Sequence, residues 1–245
     1  MVSDFRGWRD LLSNEDASRR PGALDLEYAR GRREKRSLRY RLRRRTDEVC
    51  RAAAEFLAPP VERILDLGTA DGRMLAALAR RFPGALCLGV EYDPGLATLA
   101  GRSFNELAII NGDVERLPLA GEGFDLAVAA AVIEHLPDPG RFMEEVHRVL
   151  RPGGILVLTA PDPFWEEVAH RVGHLPEEVH HQVMNLEQLT GLARSAGLEV
   201  LLARKFMISP VGCPGELGIE RVIRSIKLDF LLLNQLLVAR RGDGV

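Results

Sequence analysis

The sequence has few of the residues that cross-link or anchor a chain. Only three of its 245 residues are cysteines, Cys50, Cys87 and Cys213, and no two of them stand at CxxC spacing. We therefore expect neither a disulfide scaffold nor a zinc site, and no other cluster has metal-ligand spacing. No apolar run approaches the ~20 residues of a membrane-spanning helix, and the N-terminus lacks a basic-then-apolar signal pattern. These absences predict a cytoplasmic protein with no membrane span and no metal.

Two signatures of nicotinamide-dependent oxidoreductases are also missing. The chain contains no G-x-G-x-x-G fingerprint, which shapes the dinucleotide site of such enzymes. None of its three tyrosines, Tyr28, Tyr40 and Tyr92, begins a Tyr-x-x-x-Lys pair. An oxidoreductase is therefore the weaker alternative, and titration with NADH would separate it from the interpretation below.

Length and composition suit one α/β domain with added segments, since 46% of the residues are hydrophobic. The charge is uneven, because residues 30–45 contain ten Lys or Arg against one acid, Glu34. That stretch carries +9 and the rest of the chain −11. A helix is predicted over 28–57, ended by Pro59-Pro60. Its arginines are interpreted first as a solvated helix face, second as a contact for an anionic partner, and third as contacts to RNA phosphates. Aromatic residues for base stacking are nearly absent there.

The functional prediction centres on residues 63–72. An apolar run, Ile64-Leu65-Asp66-Leu67, ends in the small-residue turn Gly68-Thr69-Ala70-Asp71-Gly72, and a helical pattern follows. A strand, a glycine turn and a helix place free backbone N–H groups beside a crevice. Asp66 adds a carboxylate, which suits a cationic amino-acid ligand and not a pyrophosphate.

Two further predicted strands also end in acids. Glu91 follows the second strand, about 20 residues beyond the glycines, where an acid can accept hydrogen bonds from a ribose diol. Asp93 is predicted to cap the helix that begins at Pro94. Asp113 follows the third strand, where it can accept from an exocyclic amine. Since ligands of doubly wound sheets bind outside the carboxyl ends of strands, the three acids should converge.

Four motifs in a fixed order support this interpretation: DLGTADG at 66–72, VEYDP at 90–94, NGDVERLPLAGEGFDLAVAAAVIEHLPDP at 111–139 and RVLRPGGILVLTAP at 148–161. Over roughly residues 60–205 the chain resembles the class I S-adenosylmethionine-dependent methyltransferases, in particular the group of ubiquinone/menaquinone-type enzymes. The resemblance implies an α/β, Rossmann-like doubly wound sheet of about seven mostly parallel strands. Helices would cover both faces, the last strand would be antiparallel, and the cofactor would be S-adenosylmethionine, with S-adenosylhomocysteine as product.

The resemblance also implies a cofactor site. Its residues would be Asp66, Gly68, Thr69, Ala70, Gly72, Glu91, Tyr92, Asp113, Val114 and Ala130. Asp66 would contact the amino group of the cofactor, Glu91 its ribose and Asp113 its adenine. Val114 would lie beside the adenine, and Tyr92 would flank it. Ala130 would leave room for the methionine moiety. Ala70 replaces the middle glycine of the family, and its methyl group should be tolerable if φ stays negative.

Residues 1–58 are predicted to form an arm and basic helix covering the cofactor side, and 59–245 the methyltransferase domain. Segments 161–184 and 209–233 interrupt the alternation of strands and helices and are predicted to be lids on the acceptor side. The acceptor is expected to be a small molecule or lipid-like, with O-, C- or N-methylation open. No Asn-Pro-Pro-Tyr-like tetrapeptide follows the fourth strand, which counts against planar amine acceptors.

Two histidines are candidate general bases, His135 and His181, but a hydrogen-bonded structural histidine is the favoured interpretation of each, because motif position alone does not fix a role. Two alternatives stay open. One is an RNA methyltransferase that uses the basic 30–45 helix, and the other is a non-catalytic protein that binds S-adenosylmethionine. The sequence predicts neither the oligomeric state nor a definite catalytic residue.

Overall fold

Seven strands form one sheet in the computed structural model, which describes residues 26–171 and 182–243. The strands are β1 Arg63–Leu67, β2 Leu86–Glu91, β3 Ala108–Asn111, β4 Phe124–Ala130, β5 Leu150–Pro161, β6 Leu198–Phe206 and β7 Asn234–Arg241. The helices are α1 Leu26–Glu34, α2 Arg36–Phe56, α3 Arg73–Arg81, α4 Pro94–Ser103, α5 Pro139–Val149, α6 Pro163–Arg171, α7 Leu186–Ser195 and α8 Glu216–Ser225. Short 3-10 turns occupy Ile133–His135 and Asp229–Leu231.

The strand order is β3-β2-β1-β4-β5-β7-β6. The strands β1 to β5 pair in parallel, whereas β7 lies antiparallel between β5 and β6. The predicted Rossmann-like doubly wound sheet with an antiparallel last strand is therefore confirmed. Because the chain reverses its direction of winding between β1 and β4, their carboxyl ends mark the place where such sheets bind ligands.

Both faces of the sheet are covered by apolar helix faces. On one face, Leu65 and Leu67 of β1 pack in a cluster with Phe142 of α5 and Leu189 of α7. On the other face, Ile64 packs with Val49 of α2 and with Leu75 and Leu78 of α3. Since side chains alternate along a strand, Asp66 lies on the same face as Ile64, under α2.

The N-terminal helix differs from the prediction in two ways. The predicted single helix over 28–57 is broken at Lys35, whose extended backbone (φ −84°, ψ 122°) separates α1 from α2. The break lets Ala29 of α1 pack against Ala70 and Leu96. The interpretation of the arginines as a solvated face is wrong for Arg44 and Arg45, which are only 5% and 6% exposed.

The two predicted insertions contain helices in the described part of the chain. Segment 161–184 includes α6, and segment 209–233 includes α8 and the second 3-10 turn. None of the described helices is long and apolar enough to cross a bilayer.

Candidate functional site

The turn after β1 is held in a conformation that few side chains accept. Gly68 and Gly72 have φ of +74° and +77°, in the left-handed region where glycine is favoured. A Cβ on Gly68 would stand 2.6 Å from Cγ2 of Val132, which follows β4. The N–H groups of Gly68 and Thr69 both donate to the carbonyl oxygen of Val90, at 2.8 and 3.1 Å. The turn is therefore fixed between β2 and the segment after β4.

Ala70 contradicts the expectation of a negative φ. Its φ is +50°, a conformation that costs a residue with a Cβ roughly 1–2 kcal/mol. Its methyl group is buried against Ala29 of α1 and Leu96 of α4. The packing with α1 therefore offsets part of the backbone strain, and α1 fills the space that the additional Cβ requires.

Asp66 is buried at the end of β1, with 2% of its surface exposed. Its Oδ2 accepts a hydrogen bond of 2.7 Å from the hydroxyl of Thr69. Burial, and after it the charge of Asp66, raises the pKa of the neighbouring Cys87 thiol to about 11. The thiol is therefore protonated near neutral pH and does not act as a nucleophile.

Glu91 joins the end of β2 to the glycine turn. One carboxylate oxygen accepts from the N–H of Ala70 at 2.8 Å and the other from the N–H of Asp93 at 3.0 Å. Burial raises the pKa of Glu91 above its usual value, against the lowering effect of these two backbone donors. Asp93 caps α4 as predicted, by accepting from the N–H of Leu96 at 2.8 Å.

The end of β3 has a different geometry. Oδ1 of the half-buried Asp113 accepts from the N–H of Glu115 at 2.9 Å, so this acid closes a turn, while its contact to adenine stays a prediction. Val114 is buried and Tyr92 is half-buried. Asn111 was not predicted, yet its amide donates to the carbonyl oxygens of Glu91 and Tyr92, at 2.8 and 2.7 Å. It holds the chain after β2 in place.

A narrow cleft opens beside Asp66. Its lining combines Asp66, Gly68, Thr69 and Ala130 of the predicted site with residues that were not predicted, namely Leu38, Arg41, Leu42, Arg45 and Met74. Four of these additional residues belong to α2, at positions 38, 41, 42 and 45, where the i, i+3, i+4 and i+7 spacing places them on one helix face. This spacing is the feature of the sequence from which these four residues could have been predicted to face one site.

Arg45 is fixed at the cleft by a fork of hydrogen bonds. Its Nε and one terminal nitrogen donate to Oδ1 of Asn234 at 3.0 and 2.8 Å. Arg41 is half-buried, and no hydrogen bond or ion pair joins it to the described part of the chain. A carboxylate and two guanidinium groups therefore line the same cleft.

Helix α2 is attached to the body of the protein through buried charges. Arg44 donates to Glu48 at 2.5 Å and to Glu220 of α8 at 2.8 Å, and Arg204 of β6 also pairs with Glu48. Burial alone would raise the pKa of Glu48, but the charges of Arg204 and Arg44 outweigh it and lower that pKa. Arg44 is therefore unavailable to a nucleic acid in this arrangement.

The segment after β4 contains one of the two histidine candidates. His135 is half-buried in the 3-10 turn, beside Glu134, which is 2% exposed. Oε2 of Glu134 has no hydrogen-bond partner within residues 26–171 and 182–243. His181 lies outside the described residues, as does the arm over 1–25.

Comparison with known proteins identifies a methyltransferase domain in part of the chain. Residues 65–158 match the family model described as "Methyltransferase domain". A probable S-adenosylmethionine-dependent methyltransferase of Mycolicibacterium smegmatis is 31% identical over 140 residues, which cover 56% of this chain and 52% of the relative. Trans-aconitate 2-methyltransferase of Methylobacterium nodulans is 35% identical over 130 residues, covering 51% of this chain and 50% of the relative. The chain thus spans about half the length of the curated relatives it matches.

Solved structures show the same fold. A putative sarcosine dimethylglycine methyltransferase from Galdieria sulphuraria superposes with a TM-score of 0.63 at 18% identity, over 82% of this chain and 87% of the other. A possible histamine N-methyltransferase from Thermotoga maritima gives 0.63 at 20% identity, over 88% and 95%. The family match identifies a methyltransferase domain within the chain, over residues 65–158, and the solved structures share the fold in which it lies.

Proposed function

We propose that this protein transfers the methyl group of S-adenosylmethionine to a small-molecule or lipid-like acceptor. The observation that carries the proposal is the pair of buried carboxylates, Asp66 and Glu91, at the ends of the adjacent strands β1 and β2. The left-handed turn after β1 donates the N–H of Ala70 to Glu91. Relatives add support, because they include proteins named as methyltransferases for malonyl-[acyl-carrier protein], trans-aconitate and demethylmenaquinone.

The donor set fits the cofactor. An amino-acid group carries an ammonium and a carboxylate, and the cleft presents Asp66 for the first and Arg41 and Arg45 for the second. Each oxygen of Glu91 accepts one backbone hydrogen bond and retains a lone pair for a ribose hydroxyl. The small side chain of Ala130 leaves room beside Asp66. We assign the adenine to Asp113 and Val114, with Tyr92 as its flank, and backbone contacts to Gly68, Thr69, Ala70 and Gly72.

When bound, the cofactor supplies a sulfonium methyl group that is already activated for in-line transfer. The task left to the chain is alignment and exclusion of water, which can lower a barrier by about 7–11 kcal/mol in favourable cases. Helix α2 excludes water by covering Asp66 and Gly68. If the acceptor is a hydroxyl or a carbon acid, His135 is the proposed base that takes its proton, and His181 is the alternative.

We propose that residues 1–58 act as the cover of this site and 59–245 as the catalytic unit. Segments 161–184 and 209–233 would form the acceptor side. The proposed location is the cytoplasm, because Cys50, Cys87 and Cys213 are all free thiols.

The deciding experiment is isothermal titration calorimetry with S-adenosylmethionine, S-adenosylhomocysteine and NADH. We expect binding of the first two only. Glu91→Gln should weaken S-adenosylmethionine binding by about tenfold or more, since hydrogen bonds to a charged group contribute roughly 1.5–3 kcal/mol. Glu106→Gln, at an exposed acid outside the cleft, is the matched control and should bind normally. Unchanged affinity of Glu91→Gln would contradict the ribose assignment.

Transfer of labelled methyl to a panel of carboxylates, hydroxyls, quinols and amines then tests the activity. Binding without transfer to any acceptor would favour the non-catalytic alternative. A [4+2]-cyclase shares the fold with a TM-score of 0.59, so the fold alone does not decide this point. RNA affinity that weakens steeply with salt would favour the RNA methyltransferase.

A further inference from the structure

Large exposed hydrophobic side chains are concentrated in one region of the protein. Of the ten found among the described residues, seven lie between 211 and 230 and an eighth is Phe164. We call these eight residues the α8 surface. Scattered single apolar residues need no explanation, but a contiguous group of this kind marks an interaction site.

Helix α8 buries its acidic side chains and exposes apolar ones, which reverses the usual arrangement of an amphipathic helix. Its two acids, Glu216 and Glu220, are buried, whereas Ile219 and Val222 are 40% and 58% exposed. Surface helices normally bury their apolar residues and expose their charges. The acids face inward because Arg44 of α2 pairs with Glu220, and this orientation turns the apolar residues outward. Ile226, the C-cap residue four positions after Val222, continues the same side at 57% exposure.

Neighbouring elements extend the surface toward the cleft. The indole nitrogen of Trp165 in α6 donates to the carbonyl oxygen of Phe230 at 2.7 Å, and Phe164 packs edge-on against Trp165 at 5.2 Å. On the other side, Gly212 touches α2, since a Cβ there would stand 2.5 Å from the ring of Tyr40. The apolar region therefore borders the helix that covers the candidate cofactor site.

The exposed charges around this surface are predominantly positive. Between residues 209 and 230 the exposed charged residues are Arg221 and Lys227, while both glutamates are buried and Asp229 is half-buried. The exposed Glu167 of α6 is paired with Arg171. Arg36, Arg39 and Arg43 of α2 are exposed as well. A second copy of the chain docked on this face by a twofold axis would bring like charges together. A negatively charged surface would instead pair with them.

We propose that the α8 surface docks the protein on an anionic lipid bilayer. The aliphatic side chains of α8 and the rings of Phe164 and Phe230 beside it are about half exposed, which suits insertion into the headgroup region of a deformable interface. The flanking arginines and lysine then lie at the level of the anionic headgroups, where each contributes about fivefold to binding. This attachment is peripheral and is independent of methyl transfer.

Flotation with lipid vesicles tests the proposal on the full chain. We expect binding to phosphatidylcholine vesicles that contain about 30% phosphatidylglycerol, and weaker binding at about 0.5 M than at about 0.1 M salt because surface charges are screened. The double substitution Val222→Ser and Ile226→Ser should reduce binding at least tenfold. Leu86→Ser removes an apolar side chain that is 42% exposed outside this surface, so it is the matched control and should bind as the wild type does.

The charge contribution has its own variant pair. Arg221→Glu with Lys227→Glu should reduce vesicle binding about tenfold or more, whereas Arg102→Glu, at an exposed arginine of α4, should have little effect. Since all substituted residues are exposed, melting temperatures should stay close to that of the wild type. The proposal is overturned if anionic vesicles do not bind, or if binding survives the double serine substitution. It is also overturned if sedimentation shows a dimer that these serines dissociate, or if binding requires an acidic protein.

Discussion

The turn after β1 and the interface between α2 and α8 both contain buried carboxylates, but those carboxylates have different partners. Asp66 and Glu91 accept hydrogen bonds from a hydroxyl and from backbone N–H groups. Glu48 and Glu220 are instead paired with the guanidinium group of Arg44. The first arrangement holds two carboxylates against the glycine turn, and one of them, Asp66, lines the cleft. The second neutralises the charge and attaches one helix to another, so a buried acid by itself does not indicate a binding site.

The largest expected effect concerns the interface between the two helices. Glu220→Ala leaves Arg44 buried without one of its carboxylates, and loss of one partner of a buried ion pair costs roughly 3–5 kcal/mol. We expect a fall of about that size in the free energy of unfolding in urea. Glu34→Ala is the control, because the Arg30–Glu34 pair is 77% and 62% exposed and contributes under about 1 kcal/mol. Equal losses for the two variants would show that burial does not distinguish these pairs.

The next effect concerns the glycine turn. Gly68→Ala adds a methyl group at a φ of +74° and within 2.6 Å of Val132, whereas Gly84→Ala, at +93°, meets nothing within 4 Å. Gly84→Ala is the control and should lose only the backbone cost of about 1–2 kcal/mol. Gly68→Ala should lose more stability than this and should also weaken cofactor binding. Adding Val132→Ala should restore part of the stability. A Gly84→Ala variant as damaged as Gly68→Ala would argue against the steric explanation.

A smaller effect is expected from pH. The pKa of Glu91 is raised by burial, and the proposed ribose contact requires the ionised form, which accepts hydrogen bonds from hydroxyl groups. Cofactor affinity should therefore be highest above the raised pKa of Glu91 and should decline as the pH falls through it. The decline should begin at a higher pH than the ordinary glutamate pKa of 4.5 would give. Calorimetry across this range should show the decline in the wild type but not in Glu91→Gln. The same decline in the variant would assign it to another group.

The smallest effect should come from Ala70→Gly. Relief of about 1–2 kcal/mol of left-handed strain is opposed by the loss of a buried methyl group, about 0.8 kcal/mol, and by the greater freedom of the unfolded chain, about 0.4–1 kcal/mol. We expect the free energy of unfolding to change by less than about 1 kcal/mol. A larger loss of unfolding free energy would mean that the contact between Ala70 and α1 stabilises the fold by more than the burial of one methyl group accounts for.

The sequence by itself determined the sheet, the glycine turn and the acid at the end of each of three strands. These features are local, because apolar periodicity, glycine positions and motif spacing lie in short stretches of chain. It also predicted the N-cap at Asp93, since an acid before Pro94 satisfies helix N–H groups wherever the helix packs.

Only the tertiary structure decided which arginines of the basic run are buried. Arg44 and Arg45 follow the exposed Arg43 in the chain, but Glu220 and Asn234 reach them from 176 and 189 residues away. The positive φ of Ala70 depends in the same way on α1 filling the space beside it. Burial and strain arise from contacts between distant segments, and no pattern within one stretch of sequence records which segments will meet.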